Sequence, residues 1–269
     1  MRKDLNYDLR LLCNWLKANR ISLNCSKTEL IIFRHPNKQL NYNLKIKING
    51  TKLVPSDQVK YLGIILDPHL NWSHHTHGLA SKLTRAAGML AKIRHYVPVK
   101  TLRSIYFGIF SSLLTYGSQV WAQNQNQYIA RIHKIQNKAI RIINFSNFKD
   151  HVDPLYKKSD ILKFSDHVKL QNFMFVHNSL NNKLPTPLNN AFTFISENHS
   201  QNTRASSQNK ISLPNARTSL YGLNSIKYRS VAAWNNIVND LPLESPHLKN
   251  VSLCKKQITK FIINSYNAT

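Results

Sequence analysis

The sequence predicts a mainly α-helical chain: a small N-terminal α/β portion with a β-hairpin, then a helical bundle, then a helical C-terminal region. Three observations predict it. Between residues 73 and 150 apolar side chains recur at helical spacing. Around Asn49-Gly50 the chain instead alternates apolar and polar, the pattern of paired strands. Finally, 269 residues that are 42% hydrophobic, with only seven glycines and ten prolines, can bury a real core in roughly one to two domains.

Residues 5–18 read as a helix, with Leu5, Leu9, Leu12 and Leu16 on one face and Trp15 beside them. Asn19 is the expected stop, because asparagine tolerates a left-handed cap. Glu29–Phe33 reads as a strand. Leu44, Ile46 and Ile48 alternate with Lys45 and Lys47 before Asn49-Gly50 and Thr51–Val54, which specifies a hairpin whose two turn residues have positive φ. Tyr61–Leu66 is more continuously apolar and is expected to be one buried strand. A strand buried on both faces needs more cover than residues 1–67 supply.

From Ser73 the pattern is helical. Leu79, Leu83, Ala86, Ala87, Leu90 and Ile93 share one face. Pro98 separates this helix from the next, which carries Leu102, Ile105, Tyr106, Ile109, Leu113 and Tyr116. A third carries Ile129, Ile132, Ile135, Ala139, Ile142 and Ile143, with Arg131, Lys134, Lys138 and Arg141 interleaved. Further helices are expected over Val168–Leu180, ended by Leu184-Pro185-Thr186-Pro187, and over Ser230–Val238 and Lys249–Ile263; 196–209 reads as a polar loop.

Charge is the strongest global signal. Lys and Arg number 37 against 12 Asp and Glu, a net charge of +25. Such a chain repels itself unless a polyanion neutralises it, and nucleic acid is the usual partner. AT-rich coding would raise Lys and Asn but does not explain the shortage of acids. Three scattered cysteines with no Cys-x-x-Cys pair indicate neither a zinc knuckle nor a disulfide framework, and fit a reducing, intracellular compartment, nucleus or cytoplasm. No apolar signal core follows Met1. Ser104–Ala130 carries no charge, but Ser111, Ser112, Thr115, Gly117, Ser118 and Gln119 make it a buried helix rather than a membrane span.

The acids are Asp4, Asp8, Glu29, Asp57, Asp67, Asp150, Asp153, Asp160, Asp166, Glu197, Asp240 and Glu244; no two are adjacent. Two-metal phosphoryl transfer needs two or three converging carboxylates, so no such site is expected. Asp150 and Asp153 read as helix caps. His69, His74, His75 and His77 have no cysteine or Glu nearby, and an exposed helix start explains them better than zinc. Neither Gly-x-Ser-x-Gly nor a phosphate-cradling glycine loop is present, and neither His133 nor His177 completes a nucleophile motif.

Several ordered motifs carry a family likeness. They are Leu12–Asn19, Ile21–Thr28, Ile31–Phe33, Val59–Asp67 and Leu70-Asn71-Trp72. Together they resemble the downstream palm motifs of non-LTR (LINE-type, jockey-like) retrotransposon reverse transcriptases, enzymes that are RNA-directed DNA polymerases. The likeness continues in Lys82-Leu83, Leu102–Ile105, Tyr116–Trp121 and Ile132–Arg141, and in the tail at Arg217, Tyr221, Tyr228-Arg229 and Trp234-Asn235.

The resemblance implies a palm remnant over 1–72, a thumb-like helical bundle over 73–150 and a C-terminal region over 151–269. The family's metal-binding Asp-Asp motif precedes the first of these pieces, so the expectation is a truncated element or partial gene product, inactive alone, without the residues that hold the family's two Mg ions. Lys27 would correspond to a lysine near the incoming nucleotide's phosphates; as a residue it is equally a surface lysine. Lys60, Tyr61, Leu62 and Gly63 resemble the primer-grip motif, and Gly63 is also readable as a bulge glycine. Lys82, Arg85, Lys92 and Arg94 would track phosphates along a template–primer duplex, or form a solvated face. The implied partners are RNA and/or DNA, an RNA/DNA hybrid above all, and no membrane. A domesticated helical interaction module and a non-functional product of a decayed element remain alternatives.

Overall fold

The computed structural model describes residues 2–38, 45–123, 127–198, 209–219, 221–240 and 250–266. These are mainly helical, with two small antiparallel hairpins near the N-terminus. The chain divides into two compact units, 1–77 and 78–269.

The N-terminal unit begins with α1, Arg2–Ala18. Its inward side differs from the expected one. Cys13 is buried and Leu9 and Leu16 half-buried, while Leu5 and Leu12 are exposed, at 41% and 46%. The packing partner sets this rotation. Cys13 joins Ile46, Ile48 and Leu53 in a small core, with Leu9, Leu23, Cys25 and Leu30 against it. The helix ends as Arg20 N–H donates to Lys17 O and Ile21 N–H to Leu16 O, with Arg20, not Asn19, at positive φ. Asn19 instead donates its side-chain amide to Trp15 O.

Strands β1 (Ile46–Ile48) and β2 (Thr51–Leu53) pair around Asn49 (φ 47°) and Gly50 (φ 79°), the expected turn. Leu44 lies outside the described residues. Two strand expectations need correction. Over Glu29–Phe33 there is one bridge, Leu30 to Pro55; Pro55 has no N–H to extend a ladder, and Ser56 N–H donates to Leu30 O instead. Tyr61–Leu66 is not one buried strand. It contains a second hairpin, β3 (Val59–Tyr61) with β4 (Ile64–Leu66), turning at Leu62 (φ 46°) and Gly63 (φ 82°). Gly63 is therefore a turn glycine rather than a bulge glycine.

After β4, the buried Asp67 carboxylate organises the chain. It accepts N–H bonds from His69 and Asn71 at Oδ1 and from Trp72 at Oδ2, over 3.0–3.2 Å. Leu70 and Trp72 both stand at positive φ in this turn. His75 is buried and its Nδ1 accepts from Ile65 N–H, whereas His74 and His77 are exposed. The expected exposed histidine cluster is thus partly a structural anchor.

Helix α2, Ser73–Ile93, buries Leu79, Ala80, Leu83, Ala86, Ala87 and Leu90, close to the expected face; the boundary between the units falls within it. In the C-terminal unit α3 (Val99–Ile105) runs into a π-helical turn, Tyr106–Ser111, and then α4 (Ser112–Thr115). The buried residues are Leu102, Tyr106, Phe110 and Leu114, while Leu113 and Tyr116 are exposed. Every fourth residue drifts about 40° per step around an α-helix. The wider π-turn takes up that drift and keeps the row facing inward.

Gly117 (φ 59°) then admits α5 (Ser118–Trp121), with Trp121 buried and its Nε1–H donating to Tyr116 O. Helix α6, Gln127–Ile143, buries Ile129, Ile132, Ala139, Ile140 and Ile143; Gln136 is buried in place of Ile135. Gln136 donates to Tyr106 Oη and Leu162 O and accepts from Phe164 N–H, which accounts for a buried amide.

Helices α7 (Asp153–Ser159) and α8 (Phe164–Leu180) follow. Helix α8 is buried on all sides at Val168, Leu170, Phe173, Met174 and Val176 and forms the centre of this unit. Short α9 (Thr186–Asn189) and α10 (Ile195–Asn198) precede α11 (Ile226–Asp240) and α12 (Val251–Asn264). The core joins Phe173, Val231, Trp234, Cys254 and Ile258. Burial holds the Cys254 thiol up to about 11, so it packs as an unreactive apolar group. Most of the expected 196–209 loop lies outside the described residues.

Candidate nucleic-acid interface

The cations of α2 are sorted by the helix repeat. Positions 82, 85 and 92 fall within about 80° of one another around an α-helix, and position 94 lies on the other side. Lys82, Arg85 and Lys92 are exposed, and none hydrogen-bonds or ion-pairs among the described residues. Arg94 does not join them. Its guanidinium lies 5.2 Å from the Phe145 ring centroid and its Nε–H donates to His95 Nε2.

Beside Lys82 and Arg85 a groove of about 460 Å³ runs between α2 and the π-turn, lined also by Ala86, Met89, Gly108, Ile109, Ser112 and Leu113. Gly108 faces open space there. Among the described residues no carboxylate lines it. Apolar floor and cationic rim together suit a phosphate-bearing chain whose sugars pack on the floor.

Lys27 is exposed at the end of a 3₁₀ turn, Cys25–Lys27, fixed by Asn24, whose side chain accepts from Lys27 N–H and Ser26 Oγ–H. Leu23, Cys25 and Leu30 anchor that turn to the small core. Lys60, Tyr61, Leu62 and Gly63 are exposed at the tip of the second hairpin, with Tyr61 63% and Leu62 71% accessible. The expected strand backbone is thus a projecting tip.

Four acids of the C-terminal unit bond within it. Asp150 accepts from Ser146 Oγ–H and from Asn147 N–H, bonds that hold its carboxyl below the usual range. Asp153 pairs with Lys163 at 2.7 Å, Asp160 with Arg103 at 3.1 Å and Asp166 with Lys169 at 3.0 Å. Tyr266 donates to Asp166 Oδ2, tying the residues just after Asn264 to α8. Among the described residues no three His, Cys, Asp or Glu side chains gather as a metal site. Two Mg ions in a polymerase are held by two or three converging carboxylates, and among the described residues the carboxylates do not converge in that way. Burial lowers His133, which packs on Phe164, and lowers His167, which meets the Gln171 amide at 3.3 Å, to about 4. No helix among the described residues is long and apolar enough to cross a membrane.

The buried amides Gln123 and Asn172, and the motif residue Asn235, are structural. Gln123 and Asn172 exchange two 2.9 Å bonds, and Asn235 holds both Ile211 N–H and Ile211 O. The structure also presents a second basic row beyond the expected site: Arg131, Lys134 and Lys138 are exposed along α6. Their spacing of three and then four residues is the signal that places them on one face.

No family profile matches the chain, and no solved structure matches it. Three curated proteins are similar over part of it. A probable RNA-directed DNA polymerase from transposon X-element of Drosophila melanogaster is 26% identical over 48% of this chain and 14% of its own length. A retrovirus-related Pol polyprotein from type-1 retrotransposable element R1 of Bradysia coprophila is 24% identical over 52% of this chain and 14% of its own. A probable RNA-directed DNA polymerase from transposon BS of Drosophila melanogaster is 29% identical over 36% of this chain and 11% of its own. The chain thus spans only about a seventh of the length of the relatives it matches. Over roughly a third to a half of its length, this chain is thus similar to proteins of retrotransposable elements, two of them named as probable RNA-directed DNA polymerases.

Proposed function

We propose that this chain is a nucleic-acid-binding part of a non-LTR retrotransposon reverse transcriptase, without the carboxylates for phosphoryl transfer. Residues 1–72 are read as the end of a palm, 73–150 as a thumb-like bundle and 151–269 as the C-terminal region. The ligand is an RNA/DNA hybrid. Lys82, Arg85 and Lys92 meet its phosphates, and Lys27 and the Lys60–Gly63 tip are substrate-facing remnants of the polymerase.

The observation that carries this reading is the row of three exposed, unneutralised cations on α2 beside an acid-free groove, in a chain of net charge +25. A gel-shift with an RNA/DNA hybrid tests it. Binding at low salt that weakens steeply as salt rises supports it. No shift at low salt sinks it.

Exposed Phe107, Leu113, Tyr116 and Val120, between 36% and 56% accessible, favour a second reading, a helical protein-interaction module. It requires a partner that co-purifies after nuclease treatment, and a monomer in every pull-down excludes it.

A further inference from the structure

The N-terminal unit carries a cationic groove of its own, separate from the α2 cations, the Lys27 turn and the Lys60–Gly63 tip. It is about 670 Å³ and lies between α1 and the first hairpin. Arg10, Lys17 and Lys47 line it, Cys13 and Leu9 form its apolar floor, and among the described residues no carboxylate borders it. On α1, positions 10, 13, 14 and 17 share one face. A second cavity of about 330 Å³ shares Cys13, Lys17 and Asn49 with it and adds Arg20, so the groove continues along the helix. None of these four cations is in an ion pair among the described residues.

The wall of the groove narrows the class of occupant. The Asn6 side chain donates to Lys45 O at 3.0 Å and accepts from Lys47 N–H at 3.1 Å. It thereby consumes backbone groups through which an extended peptide would add to the edge of β1. Among the described residues no aromatic side chain lines the groove, so stacked bases have no platform. What remains is a cation-lined, ligand-sized trough suited to a flexible chain of phosphates.

We propose that this groove holds the sugar–phosphate backbone of a single nucleic-acid strand, without base selectivity, through Arg10, Lys17 and Lys47. The proposal rests on the reading of the chain as a nucleic-acid binder, but it assigns a separate site to a separate form of the ligand.

The test uses the full chain, oligo-dT and an RNA/DNA hybrid, with binding followed by anisotropy across a salt series. For R10Q/K17Q/K47Q the slope of log K against log salt for oligo-dT should become shallower by about 2, at roughly 0.7 for each phosphate no longer neutralised. Hybrid binding should be unchanged. In the wild-type chain, oligo-dT should protect Lys17 and Lys47 from acetylation, a readout that needs no variant to fold. An unchanged slope, absent protection, or displacement of oligo-dT by poly-glutamate of equal charge would overturn the proposal. A wild-type chain that binds the hybrid but fails these tests loses this site alone. One that binds neither probe loses the broader reading as well.

Discussion

The two units solve the problem of burial differently. In residues 78–269 the large aromatic side chains are inside: Trp121, Trp234, Tyr106, Phe110, Phe164 and Phe173 are all within 1% of full burial. In residues 1–77 the buried apolar side chains among those described are Cys13, Ile46, Ile48, Leu53 and Trp72, while Tyr7, Trp15, Phe33 and Tyr61 are more than half exposed. The C-terminal unit has a helix, α8, covered on all sides. The N-terminal unit has two hairpins, each of two strands, and a helix covered on one side. Hydrophobic core therefore holds the first together, whereas the second leans on turn geometry and the Asp67 hydrogen bonds.

That contrast makes the largest predicted effect a core truncation. Trp234 stacks on Phe173 with ring centroids 4.6 Å apart. Trp234→Ala should cost about 3–5 kcal/mol, read as a lower denaturation midpoint of the C-terminal unit. Asp67→Ala should act on the other unit. It leaves three backbone N–H groups without their acceptor and should cost about 2 kcal/mol. Amide exchange should then rise around residues 64–76 and stay slow in α8. Equal acceleration in both places would break the division drawn between them.

Turn geometry gives a smaller effect. Gly63→Ala forces a Cβ onto a φ of 82° and should cost about 1–2 kcal/mol, detectable as faster proteolysis at the β3–β4 tip. The gentlest probe is pH. His167 in the folded protein titrates near 4 against 6.5 when free, because burial disfavours its charged form and Lys255 adds repulsion. Protonation thus favours unfolding. The contribution of neutral His167 to stability is complete above about pH 6.5 and is lost as pH falls from there towards 4. His133 is lowered in the same sense. His167→Gln should flatten the fall of Tm over that window in the C-terminal unit; an unaltered slope would assign the acid sensitivity elsewhere.

The regular helices are legible in the sequence because apolar side chains recur at helical spacing along α2, and along α6 except at the buried Gln136. Each departure has a local cause. Phe110 and Leu114 replace Ile109 and Leu113 as buried residues because the π-turn shifts the face, and no residue type announces such a turn. The second hairpin is hidden because Leu62 occupies a turn position usually held by Asn, Asp or Gly. The face of α1 differs from its leucine pattern because Cys13, not Leu12, meets the β1–β2 hairpin. At the candidate interface, charge and spacing point to Lys82, Arg85 and Lys92, but nothing in the spacing shows that Arg94 is taken up by Phe145, some fifty residues away in sequence. The N-terminal groove is invisible in the sequence because it is made by α1 and a hairpin that begins well downstream of it.

The central claim is that the α2 cations meet nucleic-acid phosphates. The direct measurement is RNA/DNA hybrid affinity across a salt series for the full chain and for K82Q/R85Q/K92Q. The account predicts tight low-salt binding by the wild-type chain. It also predicts a slope of log K against log salt that is shallower by about 3 in the variant, near 0.9 for each phosphate no longer neutralised. Identical slopes for the two proteins, or no binding at low salt, would contradict it.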